Sequence, residues 1–192
     1  MIFKNIISKI LVIVGLVSFT ACETDETQTV ATLDNLVWAD EFEEDGIPNS
    51  SNWNLLTGDG TAQGIPGWGN NELQTYTNRT ENVTVQNGVL IITAKKENFD
   101  GKSYTSARIT TKGLLDQQYG RFEARIKLPS GKGIFPAFWL LGDDENGSLV
   151  WPEIGEIDIM EYLGDEPTKV FGTIHGPGYS AGNSITKSYE IP

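Results

Sequence analysis

Residues 153–163 read Glu-Ile-Gly-Glu-Ile-Asp-Ile-Met-Glu-Tyr-Leu, and this stretch decides what kind of sheet the chain can build. It is an apolar, β-prone run that places three carboxylates, Glu156, Asp158 and Glu161, within six residues. A carboxylate on a buried strand costs several kcal/mol unless it is paired or solvated. A solvated acidic face on an edge strand would explain one carboxylate, whereas three of them between Ile and Met residues favour a functional cluster.

The period of a β-strand places these carboxylates relative to one another. Side chains alternate faces, so Glu156 and Asp158 share a face, and Glu161 points the other way in a regular strand. One extra residue at Ile159 or Met160, a β-bulge, returns Glu161 to the shared face. The two Glu Cα atoms are then four strand steps apart, roughly 13 Å at ~3.3 Å per step. Both side chains can lean inward and strand curvature shortens the gap further, and carboxyl groups ~5–5.5 Å apart fit a retaining glycosidase.

The run Glu-Ile-Asp-Ile-Met-Glu at 156–161 resembles the active-site strand of family 16 glycoside hydrolases, in the bulged form found in laminarinases (endo-β-1,3-glucanases). The resemblance extends from about Val37 to His175. Six further motifs support the resemblance and occur in the same order as in the family. They are Trp-Ala-Asp-Glu-Phe at 38–42, Gly-Trp-Gly-Asn-Asn-Glu-Leu-Gln at 67–74, Ser-Ala-Arg-Ile at 106–109, Tyr-Gly-Arg-Phe-Glu-Ala-Arg at 119–125, Gly-Ile-Phe-Pro-Ala-Phe-Trp at 133–139 and Gly-Thr-Ile-His at 172–175. It implies an all-β fold, a concanavalin A-like jelly-roll sandwich of two curved antiparallel sheets with a substrate cleft on the concave face.

The resemblance also implies roles for individual residues. Glu156 is the expected nucleophile, Glu161 the general acid and then base, and Asp158 a partner that hydrogen-bonds Glu156 and tunes its ionisation. The expected substrate-binding residues are Asn70, Arg108, Phe135, Trp139, Trp151 and His175. Core packing is the alternative for the two tryptophans and for the histidine. Phe135 stands where many relatives carry Trp, which keeps a stacking ring but removes the indole donor.

The same resemblance bears on cofactors. No cofactor is expected for catalysis, and a lone histidine in the chain argues against a zinc site. Glu41 resembles a calcium ligand on the family's convex face, so a structural calcium ion is the metal that the resemblance suggests.

The leading functional hypothesis is retaining endo-hydrolysis of laminarin-type β-1,3-glucan, or of mixed β-1,3/1,4-glucan, by a two-glutamate mechanism. A related marine-galactan hydrolase is one alternative. A non-catalytic surface glycan-binding lipoprotein is another, although the presence of all three carboxylates favours chemistry. The chain of 192 residues suits one catalytic domain, and its net charge of −12 repels nucleic acid and anionic membranes. The expected partner is a β-glucan, and the expected state is a monomer.

The N-terminal residues predict export. Lys4 and Lys9 precede an apolar stretch that ends before Cys22, the only cysteine, which is typical of a secretory signal over residues 1–21. Ser-Phe-Thr-Ala-Cys at 18–22 resembles a bacterial lipobox, which implies lipidation of Cys22. A plain signal peptide is the alternative, and the apolar run is too short for a membrane span.

The resemblance to lipoproteins sets an expected location and domain organisation. The protein is expected in the bacterial outer membrane, on the cell surface or the periplasmic face, with membrane contact only through the lipid anchor. Polar residues 22–35 are the predicted tether, and residues 36–192 the predicted glycoside hydrolase domain.

Short strands and turns fill the predicted domain, and no amphipathic helix of ten or more residues is expected. Asn87-Gly88 predicts the turn of a hairpin over 83–94. Residues 108–111 and 120–128 alternate with period two and predict further strands. Because relatives continue beyond the position of Pro192, the resemblance implies that the last strands are missing. A C-terminally truncated sandwich exposes unpaired edges, so this chain is expected to be poorly soluble or inactive alone, whereas the full-length parent is expected to hydrolyse β-1,3-glucan.

Overall fold

The computed structural model describes residues 35–144 and 147–191, and over these residues the chain is built from β-strands. The strands are β1 (Asn54–Leu56), β2 (Thr75–Tyr76), β3 (Val83–Gln86), β4 (Val89–Ile92), β5 (Lys95–Phe99), β6 (Lys102–Ser106), β7 (Arg108–Thr110), β8 (Ala137–Leu141), β9 (Glu156–Glu161), β10 (Lys169–His175) and β11 (Ile185–Glu190). The helical elements among the described residues are 3₁₀ turns at Thr61–Gln63, Pro66–Gly69 and Ala181–Asn183. None of these could span a membrane. The all-β prediction is confirmed.

The described residues up to Arg121 form one compact unit, and those from Phe122 onward form a second. The first unit contains a three-stranded sheet of order β2-β6-β5 and two strand pairs, β1–β7 and β3–β4. Asn82 is fully buried there and its amide donates to the Thr93 carbonyl and to Thr105 Oγ1, each at 2.9 Å. This satisfied amide ties the β3–β4 pair to the loop that follows it and to β6.

The predicted hairpin is confirmed in the first unit. Strands β3 and β4 pair from Val83 opposite Ile92 to Gln86 opposite Val89, with Asn87 and Gly88 between them. Both turn residues have positive φ, 53° and 74°, which is the requirement of a type I′ turn. Strand β4 ends at Ile92, two residues before the predicted end of the hairpin.

The second unit is organised around one antiparallel sheet of four strands in the order β11-β10-β9-β8. Strand β9, which carries the three carboxylates, is a central strand, so the edge-strand explanation of those carboxylates is excluded. On the opposite face Ile157, Ile174 and Ile185 lie in register across three strands.

The predicted strand over residues 120–128 was wrong. Most of these side chains are exposed, and the residues carry no strand assignment. Period-two alternation gives each residue a face, but a strand also needs a neighbouring backbone to complete its hydrogen bonds. Among the described residues no strand pairs with this stretch. The prediction for residues 108–111 holds, because β7 forms at Arg108–Thr110 and pairs with β1.

Close backbone approach in the second unit gives a stability prediction. A Cβ added to Gly142 would collide with the backbone carbonyl of Ile154, whereas one added to Gly182 would meet nothing within 4 Å. We expect Gly142→Ala to lower the free energy of unfolding by about 1–3 kcal/mol, since backbone must move to accept the methyl group. Gly182→Ala is the matched control and should stay within about 0.5 kcal/mol. Urea unfolding followed by tryptophan fluorescence measures both, and equal stabilities would contradict the prediction.

Candidate active site

A β-bulge in β9 brings the three carboxylates to one face. Along β10, Glu156 lies opposite His175 and Glu161 lies opposite Phe171, so five steps on β9 span four steps on β10. Along β8, Asp158 pairs with Trp139 and the next pair already involves Met160, which leaves Ile159 as the extra residue. The predicted bulge is confirmed at Ile159.

Asp158 is the most buried of the three carboxylates. The residue is 5% exposed, and its Oδ2 atom has no hydrogen-bond partner among the described residues. Burial, with smaller contributions from the charges of Glu156 and Glu161 and a hydrogen bond with Glu156, raises the pKa of Asp158 to about 7. Near neutral pH this carboxyl group therefore exchanges between the acid, which can donate a proton to Glu156, and the carboxylate.

His175 approaches both upstream carboxylates from β10. Its Nε2 atom lies 3.3 Å from Asp158 Oδ2 and 3.9 Å from Glu156 Oε1. On the other side of the ring, Nδ1 accepts the backbone N–H of Ala181 at 3.2 Å. An acceptor nitrogen carries no proton, so the neutral ring is protonated at Nε2, the atom that faces the carboxylates.

Glu156, Asp158 and His175 place one ligand-type atom each within 4.8 Å of one another, close enough for a metal ion to be considered. A metal would need the lone pair of Nε2. The Ala181 N–H keeps that nitrogen protonated in the neutral ring, because a proton moved to Nδ1 would face the Ala181 donor. The local hydrogen bonding therefore turns an N–H, and no lone pair, towards the carboxylates, which argues against His175 as a metal ligand.

Aromatic side chains surround this cluster within the second unit. Trp139 is in register with Asp158 on β8 and shares its face. Trp151 is 43% exposed, and its ring centroid lies 5.7 Å from that of His175. Trp139 thus lies beside Asp158, and Trp151 lies beside His175. Phe135 is 47% exposed and lines a cavity of about 270 Å³ that also reaches Glu161, Thr173 and His175.

Two predicted substrate-binding residues belong to the first unit. Asn70 is exposed and follows the Pro66–Gly69 turn, where its N–H bonds the Gly67 carbonyl at 3.0 Å. The guanidinium of Arg108 lies over the ring of Trp68, 4.5 Å from the centroid. Trp68 is 7% exposed and donates its Nε1–H to the Gly58 carbonyl. Arg108 is thus held against a buried ring, and its role towards substrate stays a prediction.

The predicted calcium ligand also lies in the first unit. Exposed Glu41 lines a cavity of about 330 Å³ together with Glu43, Glu44 and Asn49. Asp40, at the same cavity, accepts the Phe42 N–H, the Asn52 amide and the Trp53 indole. Its oxygens are therefore engaged by protein donors, whereas the Glu41 carboxylate is exposed enough to offer oxygen to a hard cation. The calcium site stays a prediction. Cys22 lies outside the described residues.

Sequence reasoning missed four residues around the cluster: Thr173, Ala181, Ser184 and Thr186. Thr173 shares a face with His175 by the period of two, so that rule could have found it. The other three lie on or near β11, and only the pairing of β10 with β11 brings them close.

Comparison with known proteins gives the class of this chain. The model of glycosyl hydrolases family 16 matches residues 70–191. The chain is similar to a beta-glucanase of Rhodothermus marinus, 49% identical over 147 residues that cover 76% of this chain and 49% of the relative. It is also similar to glucan endo-1,3-beta-glucosidase A1 of Niallia circulans, 42% identical with coverage of 82% and 24%.

Solved structures agree with these relatives. The crystal structure of the laminarinase catalytic domain from Thermotoga maritima matches with a TM-score of 0.75 and 51% identity, over 82% of this chain and 63% of that one. The chain therefore belongs to glycosyl hydrolases family 16, and the likeness confirms the predicted β-jelly-roll class. The chain spans about half the length of the Rhodothermus relative.

The buried carboxyl group predicts how stability depends on pH. The folded-state pKa of Asp158 is about 7, against about 3.9 in an unfolded chain. The folded state therefore binds more protons between these values, and stability falls as pH rises from about 4 to 7 by up to ~1.4 kcal/mol per pH unit. Asp158→Asn removes this loss, because the amide stays neutral. In metal-free buffer, the stability of the variant relative to wild type should rise with pH and level off above pH 7. A constant difference from pH 4.5 to 8 would contradict the assignment.

Proposed function

We propose that the protein hydrolyses β-1,3-glucan of the laminarin type, or mixed β-1,3/1,4-glucan, within the chain and with retention of anomeric configuration. The observation that carries this proposal is the bulge at Ile159, which places Glu156, Asp158 and Glu161 on one face of a central strand. The beta-glucanase and endo-1,3-glucosidase names of the relatives support the choice of substrate.

The proposed chemistry uses the two glutamates in turn. Glu156 attacks the anomeric carbon, and a covalent bond forms while Glu161 gives its proton to the departing glycosidic oxygen. Water then donates a proton to Glu161 and attacks the same carbon, which releases Glu156. Protonated Asp158 and the Nε2–H of His175 face Glu156 and stabilise its negative charge before the first step and after the second.

Sugar rings need flat apolar surfaces beside these polar groups. Phe135 and Trp151 are about half exposed on the carboxylate side and suit stacking against the C–H faces of glucose. Trp139 is more buried and shapes the floor beside Asp158. Asn70 and Arg108 are proposed to bind hydroxyl groups of the glucan, on the strength of the family motifs that contain them.

The location of the protein is a separate part of the proposal. A basic start, an apolar stretch and Cys22 support export and lipidation of the protein as an outer-membrane lipoprotein. Labelling with a radioactive or alkyne fatty acid in a bacterial host tests this, with Cys22→Ser as the control that should lose the label.

A structural calcium ion bound by Glu41 is a further part of the proposal. It predicts that the melting temperature of the protein is higher with Ca²⁺ than with a chelator.

The nucleophile gives the direct test of the chemistry. Glu156→Gln should reduce laminarin turnover by at least ~10³-fold, because an amide cannot form the glycosyl-enzyme. Reducing-sugar release measures this, and NMR of the first products should show the β-anomer in the wild type. Exposed Glu153→Gln, three residues upstream, is the matched control and should keep full activity.

Different outcomes point to different functions. Activity on agarose or carrageenan in place of laminarin and lichenan would identify a galactan hydrolase. Glucan binding by the wild type without any product would identify a binding protein, and either result would refute the proposal.

The bulge itself can be tested by length. Inserting one Ala after Ile159 leaves five effective steps between Glu156 and Glu161 in a strand that keeps its single bulge. Glu161 then turns to the opposite face, so we expect activity on laminarin to fall by at least ~10²-fold. Ile159→Val keeps the native length and should stay within about twofold of wild type. Circular dichroism checks that the insertion variant keeps its strands. A folded insertion variant with normal activity would show that the residue count of β9 does not set the direction of Glu161.

A further inference from the structure

Three hydroxyl groups form a line that ends on Glu161. Buried Thr173 donates its O–H to Glu161 Oε2 at 2.7 Å. Thr186, directly opposite on β11, donates to Thr173 Oγ1 at 3.2 Å. The Ser184 Oγ atom lies 3.1 Å from Thr186 Oγ1. We call Ser184, Thr186 and Thr173 the hydroxyl chain.

Counting protons gives the hydroxyl chain a direction. A hydroxyl group has a single proton to donate. Thr173 uses its proton on Glu161, and Thr186 uses its proton on Thr173. The contact between Ser184 and Thr186 must therefore be donated by Ser184. All three O–H groups point the same way, towards Oε2 of Glu161.

This direction distinguishes the two oxygens of Glu161. Oε2 is an acceptor, so a proton placed on it would face the O–H of Thr173. Oε2 could carry the proton if all three hydrogen bonds of the hydroxyl chain reversed their direction. The orientation of each of the three O–H groups would then be lost. The other oxygen, Oε1, is consequently the atom that carries the acidic proton. Glu161 and the three residues of the hydroxyl chain line the same cavity of about 270 Å³.

We propose that the hydroxyl chain is a positioning device that fixes the Glu161 side chain and assigns the transferred proton to Oε1. The inference rests on the proposed role of Glu161 as acid and base. In the first step the Oε1–H bond breaks as the glycosidic oxygen takes the proton and the electron pair of its bond to the sugar. In the second step water returns a proton to Oε1, and the hydroxyl chain itself transfers none.

The test compares two substrates that differ in their need for an acid. The leaving group of laminarin is a sugar alcohol, and its oxygen must be protonated as it departs. The leaving group of 2,4-dinitrophenyl β-laminaribioside is a stable phenolate, which needs no proton. We expect Thr173→Val to lower kcat on laminarin roughly tenfold with little change in KM, since one charge-assisted hydrogen bond is lost. The rate of glycosylation from the dinitrophenyl substrate should stay within about twofold.

The pH profile supplies a readout that general damage to the fold would not move. A hydroxyl donor favours the ionised carboxylate, so removing it favours the acid. The alkaline limb of kcat/KM on laminarin should therefore move to higher pH by about half a unit or more in Thr173→Val. Thr173→Ser retains the hydroxyl group and should restore both the rate and the profile. Thr186→Val should show the same changes to a smaller degree.

Ser188→Ala is the matched control, because Ser188 lies two residues beyond Thr186 on the same strand face and outside the hydroxyl chain. It should leave rate and profile unchanged. If Thr173→Val lost the same rate on both substrates, or if its pH profile were unchanged, the inference would be overturned. Hydrolysis of laminarin by the wild type would still support the proposed function. A full-length wild type that hydrolyses neither substrate overturns both.

Discussion

The site depends on one backbone irregularity, the extra residue Ile159 in β9. Its neighbours β8 and β10 run past the bulge with one residue fewer, so the backbone bonds on both sides hold it in place. A bulge in a central strand is constrained by two partners, which makes the direction of Glu161 a property of the sheet rather than of a flexible side chain. The sheet thereby fixes the positions of Glu156 and Glu161, the pair proposed to act in double displacement.

Three carboxylates on one strand repel one another when they are ionised, and the groups around them reduce this repulsion. Asp158 lies most deeply, and its raised pKa allows one negative charge to be neutralised by a proton near pH 7. His175 presents an N–H to the same region because Ala181 occupies its other nitrogen. Thr173, on the same strand as His175, donates its O–H to Glu161. Glu156 and Asp158 share His175 and Glu161 has Thr173, so the carboxylates differ in burial and in surroundings, which is the condition for different roles.

Much of this could be predicted from the sequence. The period of two and the spacing of Glu156, Asp158 and Glu161 required a bulge, and the structure places it at one of the two predicted residues. Asn87-Gly88 predicted its hairpin because both positions need positive φ. The strand predicted over residues 120–128 was wrong, because alternation of polar and apolar residues says nothing about whether a partner strand lies beside them.

The sequence by itself determined the strand that carries the three carboxylates, the all-β class and the family, because these depend on local spacing and on motifs in order along the chain. Tertiary structure alone decided which nitrogen of His175 carries its proton, how deeply Asp158 is buried, and that hydroxyl groups from β10 and β11 converge on Glu161. Those properties arise from the register between strands distant in sequence. Register is set by the hydrogen bonding and packing of the whole sheet, which no single stretch of residues contains.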